Sequence, residues 1–229
     1  STTAQRMWTL WCAASSECAR FSSWSEMRID AVFFDLGRVL VDFDLEKAYR
    51  AAAEKSPLTP EEIRSKVISP RIYDFEKGLL SPEDFFRGLA ADTEFQGTPA
   101  ELRTIFDDIF TEMTHNVHTL RALRGRVRLG MISNTNASHI AFVEKAYDFF
   151  SLFECRVYSH QVQMRKPDTE IYRYALNAMD VAPERSLFID DLEANVAGAR
   201  EAGMHAIHLT PDRPLSQHSH PALALLFAE

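Results

Sequence analysis

The feature that most constrains this chain is a series of short apolar runs, each followed by a segment with helical periodicity. The runs cover residues 29–34, 127–132, 155–158, 186–189 and 205–209. Helical patterns occupy 137–147, 169–179 and 192–202, between the later runs. Runs this short and this continuously apolar suit strands covered on both faces. Strands that alternate with helices predict a parallel α/β sheet.

One stretch breaks the alternation. From Asp44 to about Asn116 the pattern is helical throughout, and Leu45, Ala48, Tyr49 and Ala52 share one helical face. Three helix starts use the same recipe of cap and proline: Thr59-Pro60, Ser81-Pro82 and Thr98-Pro99. In the last, Glu101 follows Thr98 by three residues and completes a capping box. The apolar stripe Leu102, Ile105, Phe106, Ile109, Phe110 and Met113 then reads as one continued helix. This stretch is expected to be an all-helical insertion placed directly after the first strand of the sheet.

Bulk properties narrow the function. A net charge of −8 argues against nucleic acid as a partner, because a phosphate backbone requires a basic face. No apolar run approaches the ~18 residues of a membrane span. Cys12, Cys18 and Cys155 have no paired spacing, so neither a disulfide framework nor a zinc ribbon is expected, and a cytoplasmic setting is. His205, His208, His218 and His220 show no zinc-site spacing either. Residues 1–26 carry no sustained periodicity and are expected to form a flexible N-terminal extension ahead of Met27. The apolar patch within them is short for the core of a signal peptide.

Four polar clusters each end or follow an expected strand. Asp35 closes the first run, with Gly37 two residues on, and a carboxylate there sits where α/β sheets place ligands. Ser133 and Asn134 close the second, where hydroxyl and amide suit either a phosphate oxygen or a helix cap. Lys166, fixed by Pro167, precedes a helix that Asp168 is placed to cap. Asp190 and Asp191 end the fourth run, with Asn195 one turn on. Adjacent buried acids repel one another, and a hard divalent cation with oxygen ligands is their natural partner. On one sheet edge these groups supply a nucleophile, an oxyanion clamp, a cation and a metal site, as phosphoryl transfer requires.

In the segments FFDLGRVLVDFD, MISNT, RKPDTEIY and FIDDLEANVAGAREAGM the chain resembles the haloacid-dehalogenase-like (HAD) hydrolase superfamily, subfamily I with a C1 helical cap. The resemblance covers residues 29–210. It implies a Rossmann-like parallel sheet core with helices on both faces, formed by 27–43 and 117–229, and a cap at 44–116. It also implies Asp35 as the nucleophile that becomes an aspartyl phosphate, with Ser133 and Lys166 as its catalytic partners. Gly37, Arg38, Ser133, Asn134 and Lys166 are the expected substrate-binding set. Magnesium is expected on Asp35, the Gly37 carbonyl and Asp191, with Asp190 alongside, and Asn134 and Asn195 as supports. The implied activity is magnesium-dependent hydrolysis of a small phosphorylated metabolite.

One departure matters. Most phosphatases of that family carry a second Asp two residues after the nucleophile, and here the position is Gly37. The wording DLGRVLVDFD resembles an Asp-x-Gly branch that includes glucose-1-phosphate phosphatases, so a sugar 1-phosphate is the expected substrate type. Asp42 and Asp44 are the nearest replacement acids in sequence. Two other readings remain: a phosphate-binding regulatory protein with impaired turnover, and a 2-haloacid dehalogenase.

Overall fold

The computed structural model describes residues 28–210, together with Leu215, Leu223 and Leu226. Expectations for residues 1–26, and for His218 and His220, fall outside the described residues. Five strands form one parallel sheet: β1 (Ala31–Phe34), β4 (Arg128–Ser133), β5 (Cys155–Tyr158), β6 (Ser186–Asp190) and β7 (His205–His208), in spatial order β5-β4-β1-β6-β7. Successive strands run outward from β1 to β5, and the chain then returns to the other side of β1 for β6 and β7. The order therefore reverses at β1, and such a reversal opens a crevice at the strand's carboxyl end.

Burial on both faces explains why the strand sequences do not alternate. Ala31 and Phe33 point to one core with Ile132, Val157, Phe188 and Ala206, covered by α9 (Thr169–Ala178) and α10 (Glu193–Glu201). Val32 and Phe34 point to the other, with Leu129, Met131, Leu187 and Ile189, beneath α6 (Thr114–Leu123) and α7 (Ala137–Ala146). Leu215 and Leu223 are buried in that second core as well. All five expected strands and the three helices between them are present, with ends displaced by one or two residues.

The segment after β1 forms β2 (Val41–Phe43), then α1 (Leu45–Ala53), α2 (Pro60–Val67), α3 (Pro70–Glu76), α4 (Pro82–Asp92) and α5 (Pro99–Asp107). Each expected helix start is used. Thr59 and Thr98 both form complete capping boxes, and Ser81 accepts from the Asp84 amide. These helices enclose a third apolar core, in which Phe75 stacks on Phe85 at 4.2 Å and Phe85 meets Phe86 edge-on at 5.1 Å.

Two corrections concern this segment. It is not wholly helical: α5 ends at Asp107, and Phe110–Glu112 form β3, which pairs antiparallel with β2, Phe43 opposite Phe110. Backbone bonds from Asp44 N to Ile109 O and from Met113 N to Leu40 O extend the pairing beyond the strands themselves. Strand pairing and the edge contact of Phe110 with Phe43 outweigh continuation of the helical stripe. The second correction is α3, an additional helix that starts at Ser69-Pro70, where Ser69 makes no side-chain capping bond.

Candidate active site

The register of the sheet brings the polar clusters together. Phe34 lies between Met131 and Ile189, so the next residues along β1, β4 and β6 emerge at one edge. The Asp35 amide donates to Ile189 O at 2.9 Å, which fixes the carboxylate at the crevice. Lys166 Nζ lies 2.7 Å from both Asp35 Oδ1 and Asp190 Oδ2, and its side chain is 1% exposed. The ammonium thus bridges the two carboxylates, as a hydrogen bond to Asp190 and a charge-assisted contact to Asp35.

Burial sets the ionisation of this group. It pushes the Asp35 carboxyl up to about 7, opposed by the Lys166 ammonium and reinforced by the Asp190 charge. Burial pulls Lys166 down, but the carboxylates of Asp35 and Asp190 outweigh it and hold the ammonium above its ordinary value. Asp191 is raised by burial and by Asp190.

Asp190 was expected to need a cation because it is a buried acid. The structure gives it protein partners in addition. It is fully buried, and it accepts from Lys166 Nζ, the Leu192 amide and Asn195 Nδ2. Tyr172 donates to Asn195 O at 2.7 Å and holds that residue in turn. Asp190 thus anchors Lys166, while Asp191, next to it at the sheet edge, remains partly exposed.

Asn134 clamps the peptide of Lys166 in both directions, accepting from its amide and donating to its carbonyl, each at 2.9 Å. Its amide is thereby used as a support. Capping of α7 falls to Asn136, whose Oδ1 accepts from the Ser138 and His139 amides, so Ser133 is not a cap. Asp168 does stand at the N-cap of α9, but its side chain makes no capping bond. Proximity of its neighbour to the sheet comes from elsewhere: Gly198 on α10 is so close to the Lys166–Pro167 loop that a Cβ there would lie 2.2 Å from Pro167 O.

Around Gly37 the space is occupied by an aromatic ring. A Cβ at that position would meet Phe43 Cε1 at 3.0 Å. Arg38 lies across the same ring at 4.5 Å, pairs with Asp42 at 2.7 Å and donates to Phe43 O. Arg38 is therefore engaged in the flap, outside the cavity lining. Asp42 and Asp44 are both exposed: Asp42 holds Arg38, and Asp44 caps α1 by accepting from the Lys47 amide. Neither acid faces the cavity.

That cavity, of about 210 Å³, opens beside the carboxylate cluster. Gly37, Ser133 and Asn134 line one side, and Phe43, Leu45, Ile109 and Phe110 form an apolar wall. Glu76, from α3, also lines it. Burial raises the Glu76 carboxyl, and Arg165, 2.7 Å away, lowers it. His139 also lines the cavity, and burial lowers its imidazole. The Ser69-Pro70 dipeptide repeats the start signal of the neighbouring helices, so the element carrying Glu76 was within reach of the sequence.

Residues 29–203 match the haloacid dehalogenase-like hydrolase family. The chain belongs to this family. Among relatives of this HAD-like hydrolase is the sesquiterpene phosphatase astK of Aspergillus oryzae (strain ATCC 42149 / RIB 40), 26% identical over 79% of this chain and 89% of the relative. The D-ribitol-5-phosphate phosphatase of Bacteroides thetaiotaomicron is 25% identical over 76% of this chain and 89% of its own length. A HAD family enzyme from Bacteroides thetaiotaomicron, solved as a magnesium complex, superposes with a TM-score of 0.74. It is 25% identical, over 82% of this chain and 96% of that one.

The residues present in this HAD-like hydrolase fit a magnesium ion. Ligand atoms of Asp35, Asp190 and Asp191 lie within 4.8 Å of one another, an all-oxygen donor set of the kind hard cations prefer. Three carboxylates against the one ammonium of Lys166 leave a net charge of −2, which a single divalent ion cancels.

Proposed function

We propose that the protein is a magnesium-dependent phosphatase that hydrolyses a small phosphorylated metabolite, of the sugar 1-phosphate type, through an aspartyl phosphate on Asp35. The observation that carries this reading is the Asp35 carboxylate. It is buried at the crevice end of the central strand, in ionic contact with Lys166, and beside a cavity that Ser133 also lines. The two relatives named as phosphatases support it. In this reading residues 44–116 act as the cap over a core of 27–43 and 117–229, and the separate apolar core of α1–α5 supports that division. The cytoplasmic setting belongs to the same proposal. Among the described residues no helix is long and apolar enough to cross a membrane.

The chain's own groups suffice to outline the reaction. Lys166 and Ser133 hold phosphoryl oxygens while an Asp35 oxygen attacks phosphorus. The Asp35–phosphorus bond forms, the bond to the leaving oxygen breaks, and that oxygen keeps the electron pair and takes a proton from solvent. Water then attacks phosphorus and gives a proton to solvent, which breaks the Asp35–phosphorus bond, releases inorganic phosphate and restores the carboxylate. Bound magnesium, held by Asp35, the Gly37 carbonyl and Asp191, would neutralise charge shared between nucleophile and phosphoryl oxygens.

The test is hydrolysis of a sugar 1-phosphate with magnesium and with excess chelator. Turnover lost in chelator, and lost in Asp191→Ala at ordinary magnesium, is expected. Undiminished turnover in chelator would exclude the reading. Phosphate binding without turnover would support the regulatory alternative, and chloride released from a 2-haloacid without metal would support the dehalogenase one.

A further inference from the structure

We propose that Glu76 is a specificity-determining residue that selects neutral, hydroxyl-bearing leaving groups and rejects leaving groups that carry a second negative charge. The proposal rests on the phosphatase reading of the neighbouring carboxylate cluster and goes beyond it.

The location of this carboxylate is well defined. Glu76 ends α3, and its carbonyl accepts from Ser159 Oγ at 2.7 Å. The turn that follows uses Gly78 at φ 69°, packed so closely that a Cβ would lie 2.0 Å from His160 O. A side chain there would clash, and the φ value is one that L residues seldom adopt. The end of α3 is thereby pinned against the sheet edge at β5 and α8 (Ser159–Val162).

Charge at this end of the cavity is an ion pair. Arg165 engages Glu76 Oε2 at 2.7 Å, and its guanidinium also lies over the Tyr73 ring at 5.0 Å, so the cation is held to the carboxylate rather than offered to a ligand. Both side chains are about three-quarters buried, at 24% exposure each. Among the described residues lining the cavity no Lys or Arg appears, and burial keeps the His139 imidazole toward its neutral form. Glu76 is therefore the one formally charged side chain among the described residues lining the cavity, and its partner Arg165 lies outside that lining. A carboxylate offers about four lone-pair sites, and the guanidinium contact at Oε2 leaves acceptor capacity for hydroxyl donors. A second anionic group would meet repulsion instead. The Arg165 charge offsets most of that repulsion, which leaves about tenfold in selectivity.

The experiment compares kcat/KM for glucose 1-phosphate and ribitol 5-phosphate with that for phosphoglycolate and 3-phosphoglycerate. Wild type should favour the neutral leaving groups by about tenfold. Glu76→Gln keeps the shape, removes the charge and frees Arg165, so the preference should shrink at least about tenfold. Arg165→Met should change it in the opposite direction, because the Glu76 charge loses its partner. An unchanged ratio in both variants, even with lower rates throughout, would mean a purely structural role and would overturn the proposal. The same four esters are titrated calorimetrically into Asp35→Asn protein with and without Glu76→Gln. If wild type with magnesium hydrolyses none of them, the phosphatase reading fails, and the binding ratios still decide the role of Glu76.

Discussion

Gly37 and Phe43 are the pair on which the chemistry of this site turns. The backbone at Gly37 is not in the left-handed region, so conformation does not demand glycine, and the Phe43 ring, 3.0 Å from where a Cβ would stand, must give way slightly to admit a side chain. Without an acid here, charge builds on the departing oxygen, and a positioned acid is worth about 10²–10⁴-fold. Wild type is expected to show a steep fall in kcat/KM as the leaving group becomes less acidic. Gly37→Asp combined with Phe43→Leu, which makes room, should flatten that slope more than Gly37→Asp alone. Asp42→Asn and Asp44→Asn should leave it unchanged, since both acids are tied to exposed partners. A shallow wild-type slope that steepens in either Asn variant would assign the proton to that residue. Asp35→Asn should lower turnover by at least about 10³-fold, as expected of a nucleophile, with the fold retained by circular dichroism. Lys166→Met leaves Asp35 and Asp190 buried against each other, so urea unfolding should show a loss of about 3–5 kcal/mol. Activity near wild type in either variant would remove that residue from its assigned place.

The approach of α10 to the loop before α9 shows how secondary structure sets the position of Lys166. The Gly198→Ala methyl would stand 2.2 Å from Pro167 O and 3.1 Å from the Tyr172 ring, so the loop or the helix must move. Overpacking of this kind costs about 1–3 kcal/mol. Kcat should fall with the displaced ammonium, and a variant with unaltered kcat and melting temperature would show that the contact is relieved without moving Lys166. These elements were readable from sequence because β1, β4 and β6 are covered on both faces, which leaves an uninterrupted apolar signature ending in a polar residue. β3 was not readable. It is three residues long, its partner β2 lies far away in sequence, and its apolar residues continue the helical period of α5. α3 carried the same proline start as its neighbours but is only seven residues long.

Convergence of the site, as distinct from its membership, is a property of the whole fold. Asp35, Ser133, Asp190 and Asp191 were legible as candidates because each ends or directly follows a strand and a parallel sheet gathers such ends, and Lys166 by its place just before a helix. Support by Asn134 and Asn195 was legible only as adjacency, and the atoms they hold required coordinates. Glu76 was illegible, since only packing of one apolar core against another brings it to the cavity. This gathering of acids makes stability depend on pH and metal together. The Asp35 carboxyl is raised in the folded state, so between about pH 4 and 7 the folded chain holds a proton that the unfolded chain has released. Its contribution in the metal-free protein is therefore fully present below the unfolded value and is lost as pH rises toward 7. At the proposed site magnesium would have to displace that proton, so its apparent affinity should weaken about tenfold per pH unit below the folded value. The rise in melting temperature at fixed magnesium should accordingly be large at pH 8 and small at pH 5.5. Asp35→Asn has no proton to displace there and should show a weak shift that varies much less with pH. A magnesium shift of equal size at both pH values in wild type would mean that the ion does not bind at Asp35.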